Sequence, residues 1–589
     1  MAGRMRSGQR MRVVVGAVLL GLLLAAAPGG AAQPGGEASQ ARGEVEVLVV
    51  LQARADLAAA TVREAGATRT TRVQGVVEAL RATAAESQGD LLAFLEARGA
   101  EYRPYYVVNA VWVRAGQDLL GELARRPDVA AIAANPHVRG VDLGSEPVPA
   151  GAVAPGGAVA SVEENLERIN ADDAWALGYT GEGIVVAGQD TGVAWQHPAL
   201  MNQYRGWDGT AASHDYNWHD AVHTGGGTCG ADSPEPCDDY VSSHGTHTMG
   251  IMVGDDGSTR VGVAPGAQWI ACRNMDQGIG TPARYLECFE FFLAPYPVGA
   301  TPDQGDPTLA PHVVNNSWGC PPSEGCDAAA IALLEEAVEA LRQAGIVVVA
   351  SAGNSGSSCG TVSAPPALYQ GSLTVGNFDH RTGAIAASSS RGPVTYGGPT
   401  YVKPDVTAPG TAIRSSVKGG YASLSGTSMA APHVAGAAAL LLSAGPGLAG
   451  DVEAVEELLT RTAEARLDEQ CGPAGPPNSV WGWGIVDVLG SIDAGLVRGG
   501  VTAEGGLPLQ GARVLAEARP PATARAETTT GPTGSYTLAL PAGVYDLAVD
   551  GTCYGGSTVV VEVLRAQATT IPEVVLSRTP CTYLPLAMH

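Results

Sequence analysis

The chain has 589 residues, of which 45% are apolar, so it is long enough for three or four domains and apolar enough to fold around packed cores. Its formal net charge is −24, from 35 basic and 59 acidic residues. This charge argues against nucleic acid and anionic membrane surfaces as partners, because both repel a negatively charged protein.

The N-terminus has the pattern of an export signal. A basic start with four arginines precedes an apolar run from Val13 to Ala27, and small residues follow. The run is about 15 residues long, shorter than the ~20 residues that a membrane span needs. We therefore expect a signal peptide over 1–32 and a secreted, extracellular protein. An uncleaved anchor is the alternative, and no later stretch is expected to span a membrane.

Ten cysteines, an even number, all lie beyond residue 228. In an exported chain they favour disulfide bonds. Pairing between sequence neighbours is a hypothesis, because connectivity does not follow from sequence. A zinc site is the alternative, but the chain has no C-x2-C pair. The neighbours are Cys229/Cys237, Cys272/Cys288, Cys320/Cys326 and Cys553/Cys581, and Cys359 and Cys471 stand apart.

The first folded unit is predicted over 44–142, with a small α+β pattern. Residues 143–161 are rich in Pro, Gly and Ala, and they predict an exposed linker that proteases cut easily. Within the unit, alternation predicts strands at 45–51 and Tyr106–Val113, and helical spacing predicts helices at Val76–Thr83, Asp90–Arg98 and Leu119–Arg126.

The largest unit is predicted over 162–494. Short, continuously apolar runs alternate with helical stretches, which indicates a doubly wound parallel sheet covered on both faces. In such sheets the active site lies at the carboxyl ends of the strands. Strands are predicted at Ile184–Ala187, Trp269–Cys272, Val313–Asn315 and Ile346–Ala350, and a helix at Ala328–Ala344.

The last unit, predicted over 499–576, has a different composition. It is rich in Thr, Val, Gly and Pro, and turn residues separate runs of strand-like alternation. This pattern predicts a small β-sandwich.

Two segments of the largest unit suggest a base and the carboxylate that orients it. In VVAGQDTGV an apolar strand runs into Asp190 and a glycine turn. In SHGTHTMGIMVG, His244 falls at the start of a helix, and a neutral imidazole there can act as a general base. His247, one turn along the same helix, is the competing base. A metal-binding His pair is a weaker alternative, because H-E-x-x-H is absent.

Two further segments suggest a nucleophile and an oxyanion donor. In LSGTSMAAPHVAG, small residues precede Ser428, which falls at a helix N-terminus, where the helix dipole favours developing negative charge. A structural N-cap serine is the alternative. In VVVASAGNSG a buried strand ends before Asn354, whose side-chain amide can donate to an oxyanion.

The order Asp, His, Ser is the order found in subtilisin. QDTGV, SSHGTHTMG, ASAGNSG and SGTSMAAPHVAG resemble the signature segments of the subtilase family, and HDYNWHDA (His214–Ala221) resembles its bacillopeptidase F-like branch. The resemblance implies a subtilisin-like α/β fold and a serine endopeptidase with Asp190, His244 and Ser428 as its triad. It implies Asn354 in the oxyanion hole and Ser317, Trp318 and Gly319 along the substrate cleft.

The outer units carry resemblances as well. YVVNAVWV and LARRPDVAAI resemble the inhibitor-type propeptide of subtilases, which implies a self-processed zymogen whose own propeptide is an intramolecular inhibitor. GLPLQGARV and TGSYTLALPAGVYDL resemble a carboxypeptidase-regulatory-like sandwich. The expected partners are protein or peptide substrates, and the expected state is a monomer.

No cofactor is required for the expected chemistry. Subtilases often hold structural calcium, and an acidic, Cys-containing loop precedes His244, but its spacing assigns no metal ligands. Two other functions remain as alternatives: a non-catalytic binding protein that keeps the fold, and an esterase or lipase. A sedolisin-type acid peptidase is excluded, because it uses a carboxylate where His244 stands.

Overall fold

The computed structural model describes residues 43–61, 68–140 and 162–579. The predicted signal peptide (1–32), the predicted linker (143–161) and Cys581 lie outside these residues. The boundaries predicted for the five segments stay predictions.

The N-terminal unit is a four-stranded antiparallel sheet with helices packed against it. The sequence analysis missed the strand Glu101–Tyr105. It also started the next strand at Tyr106, whereas Tyr106–Asn109 form the turn between the two strands. The sheet order is Glu101–Tyr105, Ala110–Ala115, Val45–Leu51, Val129–Ala134, and the helices are Leu57–Thr61, Arg69–Ser87, Gly89–Ala97 and Gln117–Leu123.

The central unit has a sheet of eight strands. All pair in parallel except the short edge strand Ala384–Ile385, as the continuously apolar runs predicted. The order is Ala384–Ile385, Leu373–Asp379, Val347–Ser351, Val313–Asn316, Val185–Asp190, Gln268–Arg273, Trp218–Asp220, and Val406–Pro409 also pairs with Leu373–Asp379.

Helices cover both faces of this sheet. The predicted helix at 328–344 is observed as Ala328–Gln343, where Asp327 caps the first turn by accepting the Ala330 N–H. The other helices are Glu164–Glu167, Ala171–Ala176, Pro198–Met201, His244–Val253, Pro282–Leu293, Thr427–Ala444, Val452–Arg461 and Val488–Asp493, and short strands occur at Val138–Arg139, Met275–Asp276, Ile279–Gly280, Ile413–Val417 and Gly420–Leu424.

The expectation that no later stretch could span a membrane needs a correction. By length and composition, the helix Thr427–Ala444 is apolar enough to do so, and 89% of it is buried inside the protein. It lies at the centre of the core and packs against both the sheet and the helix His244–Val253. Its apolar character therefore reflects burial on all sides within the fold.

The C-terminal unit consists of two facing sheets whose inner residues form one apolar cluster, which agrees with the predicted sandwich. Its first strand begins at Ala494, five residues before the predicted start, and so continues directly from the helix Val488–Asp493. One sheet contains Ala494–Ala503, Leu507–Pro508, Ser535–Pro541, Ala568–Thr570 and Val574–Leu576, and the other contains Arg513–Ala518, Arg525–Thr529, Gly543–Gly551 and Tyr554–Val563.

Four disulfide bonds join described cysteines. Three link the sequence neighbours that were hypothesised: Cys229–Cys237, Cys272–Cys288 and Cys320–Cys326. The fourth joins the two separate cysteines, Cys359 and Cys471, across 112 residues.

Candidate active site

Asp190 and His244 are in direct contact at the carboxyl edge of the central sheet. Asp190 is the last residue of its strand, and His244 is the first residue of its helix. His244 Nδ1 lies 2.8 Å from Asp190 Oδ1 and 3.0 Å from Oδ2. Because a carboxylate accepts hydrogen bonds, Nδ1 carries the proton and donates it, which leaves Nε2 with a lone pair.

The helix of His244 is held in place by a second buried carboxylate. Asp238 accepts the Thr246 N–H at 3.0 Å and the Thr246 hydroxyl at 2.6 Å, which satisfies a donor in the first turn of the helix. It also accepts the Thr191 hydroxyl at 3.1 Å. Burial raises the pKa of Asp238 to about 6. The sequence analysis noted only that an acidic loop, which includes Asp238, precedes His244, and no local pattern revealed the role of this residue.

His247 does not share this arrangement. Its side chain is fully buried, and its Nε2 lies 3.1 Å from the carbonyl oxygens of both Ile413 and Ala422. Burial lowers its pKa to about 3, so the ring is neutral at physiological pH and donates to backbone carbonyls. No carboxylate contacts it among the described residues, so it does not compete as the base.

Ser428 is the second residue of the helix Thr427–Ala444, as predicted. Its hydroxyl donates to the carbonyl oxygen of Ser317 at 3.3 Å, and the hydroxyl of Ser317 donates to the carbonyl oxygen of Ser428 at 3.0 Å. Pro432 explains the second bond. A proline has no N–H, so the carbonyl four residues earlier, that of Ser428, has no helical donor.

The predicted base, His244, and the predicted nucleophile, Ser428, are not hydrogen-bonded to each other. His244 Nε2 is buried and has no hydrogen-bond partner among the described residues. Both residues nevertheless belong to helices that pack together, with Met429 and Ile251 in one small apolar cluster. For proton transfer between them, the Ser428 hydroxyl has to leave the Ser317 carbonyl and reach His244 Nε2.

Asn354 lies beside the start of the helix Thr427–Ala444. Its Oδ1 accepts the N–H of Thr427 at 2.9 Å and the Thr427 hydroxyl at 3.1 Å. With Oδ1 held as an acceptor, the amide nitrogen is the donor end, and it lies against Gly426, where an added Cβ would be 3.2 Å from Nδ2. Thr427 thus orients Asn354, a role that the sequence analysis did not assign.

The predicted cleft residues follow the strand Val313–Asn316. Ser317 contacts Ser428, as described above, and Trp318 is buried with its ring stacked on Tyr285 at a centroid distance of 3.8 Å. Gly319 is partly buried and leads into the loop closed by Cys320–Cys326. The structure therefore brings the predicted site residues to one edge of the sheet.

Comparison of the sequence with known proteins identifies the family of this chain. The profile of the subtilase family matches residues 181–484, which contain Asp190, His244, Asn354 and Ser428. The chain belongs to the subtilase family. A carboxypeptidase regulatory-like domain profile matches residues 496–577 of this subtilase.

The chain is also similar in sequence to individual subtilases. This subtilase is 37% identical to Bacillopeptidase F of Bacillus subtilis (strain 168) over 455 residues, 73% of this chain and 30% of that protein, which confirms the predicted branch. It is 32% identical to Subtilisin E of the same strain over 290 residues, 49% of this chain and 62% of that protein. It is also 32% identical to Subtilisin Savinase of Lederbergia lenta over 289 residues, 49% of this chain and 86% of that protein. The chain thus spans less than two thirds of the length of Bacillopeptidase F and of Subtilisin E.

Proposed function

We propose that this subtilase is a secreted serine endopeptidase that hydrolyses peptide bonds through Asp190, His244 and Ser428. The observation that carries the proposal is the bond from His244 Nδ1 to the Asp190 carboxylate, at 2.8 Å. It fixes the tautomer in which Nε2 is the proton acceptor, on the helix that packs against that of Ser428.

The proposed reaction has two halves. Ser428 Oγ turns from the Ser317 carbonyl, attacks a peptide carbonyl carbon and gives its proton to His244 Nε2. Asp190 stabilises the imidazolium that results, while the Asn354 amide and a backbone N–H at the helix start donate to the oxyanion. His244 then protonates the leaving amine. Water, deprotonated by the same imidazole, attacks the acyl-enzyme and releases the acid.

The N-terminal unit has the contacts expected of an inhibitor that covers the site. The carboxylate of Glu290 accepts the backbone N–H groups of Tyr106 and Val107 at 2.6 and 3.0 Å, and Arg103 pairs with Glu287 at 2.5 Å. The end of the unit, Val138–Arg139, pairs with the strand Ile279–Gly280. These contacts support a self-processed zymogen in which 44–142 is the propeptide.

Calcium stays a prediction. The acidic loop does not fit a calcium site in its described geometry, because Asp238 and Asp239 already accept hydrogen bonds from backbone and hydroxyl donors. Asp255 pairs with Arg260. In the described part of the chain, no group of three or more His, Cys, Asp or Glu side chains is arranged to hold a metal. A higher melting temperature with calcium than with a chelator is the result that would support the prediction.

A casein-digestion assay on the purified full chain tests the proposal. Wild type is expected to digest casein and to release the N-terminal unit, whereas Ser428→Ala does neither. Ser443→Ala, the same change near the other end of the same helix, is the matched control and keeps both activities. Self-processing by Ser428→Ala contradicts the role given to Ser428. Hydrolysis of short esters without casein digestion supports the esterase alternative.

A serine-reactive phosphonate provides a direct readout. The reagent is expected to add to one peptide, the one that contains Ser428, and to fail with His244→Ala. Absence of labelling in a folded wild type supports the non-catalytic alternative.

A further inference from the structure

Three buried amide side chains are hydrogen-bonded in series across the central sheet, at the edge that carries the site. Asn274 Nδ2 donates to Gln189 Oε1 at 2.9 Å, and Gln189 Nε2 donates to Asn316 Oδ1 at 2.8 Å. Asn316 Nδ2 in turn donates to the Val349 carbonyl at 3.0 Å. All three amide residues have 0% exposure. Asn274, Gln189 and Asn316 together form an amide row, which runs from strand to strand through four neighbours in the sheet.

The direction of the amide row is fixed by its last acceptor. A backbone carbonyl can only accept, so the Asn316 atom that faces the Val349 carbonyl is the nitrogen Nδ2. Asn316 Oδ1 therefore faces Gln189, which has to present Nε2 to it, and Gln189 Oε1 then accepts from Asn274. Asn274 Oδ1, at the start of the row, has no hydrogen-bond partner among the described residues. Each amide thus donates to the next, and an apolar substitution breaks the row at a known point.

The first half of the amide row adjoins the carboxylate that orients the base. Gln189 directly precedes Asp190 in the same strand, and successive side chains of a strand point to opposite faces of the sheet. Asp190 faces His244, whereas Gln189 faces the amides of the neighbouring strands. The Asn274 N–H also donates to the Asp190 carbonyl at 3.0 Å. The row is therefore linked to the Asp190 backbone twice, through Gln189 by a covalent bond and through Asn274 by a hydrogen bond.

The other end of the amide row adjoins the residue that holds the nucleophile. Asn316 is the last residue of its strand and directly precedes Ser317. The Ser317 hydroxyl donates to the Ser428 carbonyl at 3.0 Å, and the Ser428 hydroxyl donates to the Ser317 carbonyl at 3.3 Å. Asn316 and Gln189 are the last register pair of their two strands. Their side-chain bond therefore adds a link between the strands at the point where the backbone pairing ends.

We propose that the amide row positions the site: its bonds set the spacing between Asp190 and Ser317, and with it the spacing between base and nucleophile. This inference rests on the proposed function and adds residues on which that reaction depends. The members of the row are positioning residues, because they act through their neighbours from the sheet face opposite to the helices that begin at His244 and Thr427. A misplacement of about 1 Å between reacting groups can lower a rate about 100-fold, so small changes in this spacing matter.

Packing alone does not account for three amides at this edge. The residues two positions earlier in the three strands, on the same face, are Ala187, Cys272 and Val314, and all belong to one apolar cluster. Burial of an amide costs its hydrogen bonds to water, whereas apolar side chains throughout the row would leave no donor or acceptor unpaired. Directional bonds in a buried network fix one arrangement of the strands, which apolar contacts specify less strictly. The polar layer is therefore confined to the part of the sheet where spacing affects the reaction.

An all-apolar variant of the amide row separates positioning from packing. Gln189→Met, Asn274→Leu and Asn316→Leu together remove every amide of the row, so no member is left unpaired and the denaturant midpoint is expected to stay close to that of the wild type. On an internally quenched peptide, kcat is expected to fall about 10- to 100-fold and KM to change less than about 3-fold. A wild-type kcat in this variant, together with a wild-type midpoint, overturns the proposal.

Gln189→Met by itself, with a matched control, separates positioning from a general loss of stability. It leaves the amides of Asn274 and Asn316 unpaired, so the denaturant midpoint and kcat are both expected to fall. Gln203→Met is the control, because Gln203 is a buried amide of the same unit that donates to two backbone carbonyls, at 3.2 and 3.4 Å, away from the row. The control is expected to lower the midpoint and to keep kcat. Equal losses of kcat in the two variants would show that activity only follows stability, which overturns the proposal.

Proton NMR measures the spacing without catalysis, in the full chain with Ser428→Ala. The proton on His244 Nδ1, bonded to the Asp190 carboxylate, is expected to give a separate downfield signal, because a charge-assisted hydrogen bond deshields its proton. Adding Gln189→Met is expected to shift this signal, and adding Gln203→Met to leave it in place. An unmoved signal with Gln189→Met overturns the proposal, also where the all-apolar variant does not fold.

The outcomes separate this inference from the proposed function. If the wild type cuts neither casein nor the peptide, the proposed function fails. If the wild type cuts both, and the variants of the amide row keep the wild-type kcat and the wild-type NMR signal, the proposed endopeptidase stands and the positioning role of the amide row is overturned.

Discussion

Ser317 and Ser428 exchange two hydrogen bonds, each donating its hydroxyl to the other's carbonyl oxygen, at 3.0 and 3.3 Å. The residues are 111 positions apart in the chain. One follows a strand of the central sheet, and the other begins the central helix. The two bonds hold the proposed nucleophile, Ser428, against Ser317. The Ser428 carbonyl is free to accept the Ser317 hydroxyl because Pro432, four residues later, has no N–H to donate to it.

The first prediction concerns this exchange. Ser317→Ala leaves the buried Ser428 carbonyl without a donor, which is expected to lower the free energy of unfolding by about 1–3 kcal/mol and to lower kcat. Pro432→Ala restores an N–H four residues after Ser428. The double variant is therefore expected to recover much of the stability lost by Ser317→Ala, as measured by denaturant unfolding. Additive losses in the double variant would show that Pro432 has no part in the exchange.

The second prediction concerns the pH dependence of zymogen activation. Burial raises the pKa of Glu290 to about 8, above its ordinary value of 4.5. The N–H groups of Tyr106 and Val107, in the proposed propeptide, both bond to Oε2, so Oε1 can carry the proton. Separation of the proposed propeptide after processing is expected to expose the carboxyl and to lower its pKa, which releases a proton. Binding is therefore strongest at low pH and weakens as pH rises from about 4.5 to 8.

Glu290→Gln supplies the test of this dependence. The amide keeps the acceptor for both N–H groups and does not titrate. After processing at a series of pH values, the wild type is expected to gain casein activity faster at pH 8 than at pH 6, and the variant to show a smaller difference. The same difference in both proteins would assign the pH dependence to other titratable groups.

The third prediction concerns the buried ion pair between Asp220 and Arg273. The pair is bidentate, at 2.8 and 2.6 Å, and the two side chains are 2% and 0% exposed. Asp220→Ala leaves an uncompensated buried guanidinium, so the free energy of unfolding is expected to fall by about 3–5 kcal/mol. Arg513→Ala, which breaks an exposed pair with Glu527, is the control and is expected to change the unfolding midpoint little.

The fourth prediction concerns the long disulfide bond. Cys359–Cys471 closes 112 residues and Cys320–Cys326 closes 6, so the chain-entropy argument assigns them about 5 and about 2 kcal/mol of stability. Paired Cys→Ser variants at each bond, made in a Ser428→Ala background to prevent self-digestion, are expected to lose stability in that order. Unfolding in denaturant measures the difference, and the reverse order would contradict the argument.

The sequence determined the features that depend on neighbouring residues. Apolar runs such as Ile346–Ala350 predicted buried strands, and polar residues a few positions after such runs pointed to Asp190 and Asn354. The short spacing of Cys229 and Cys237 suggested their bond. These features could be predicted because strand and helix preferences, and the geometry of short loops, act over a few residues.

The tertiary structure alone decided the contacts between distant segments. It joined Cys359 to Cys471, gave Asp238 its place under the helix of His244, and set the register of Val138–Arg139 on Ile279–Gly280. It also showed that His247 faces carbonyls and His244 faces Asp190. Two histidines one turn apart look alike in sequence. Their surroundings are set by how helices and sheet pack, and that packing depends on the whole chain at once.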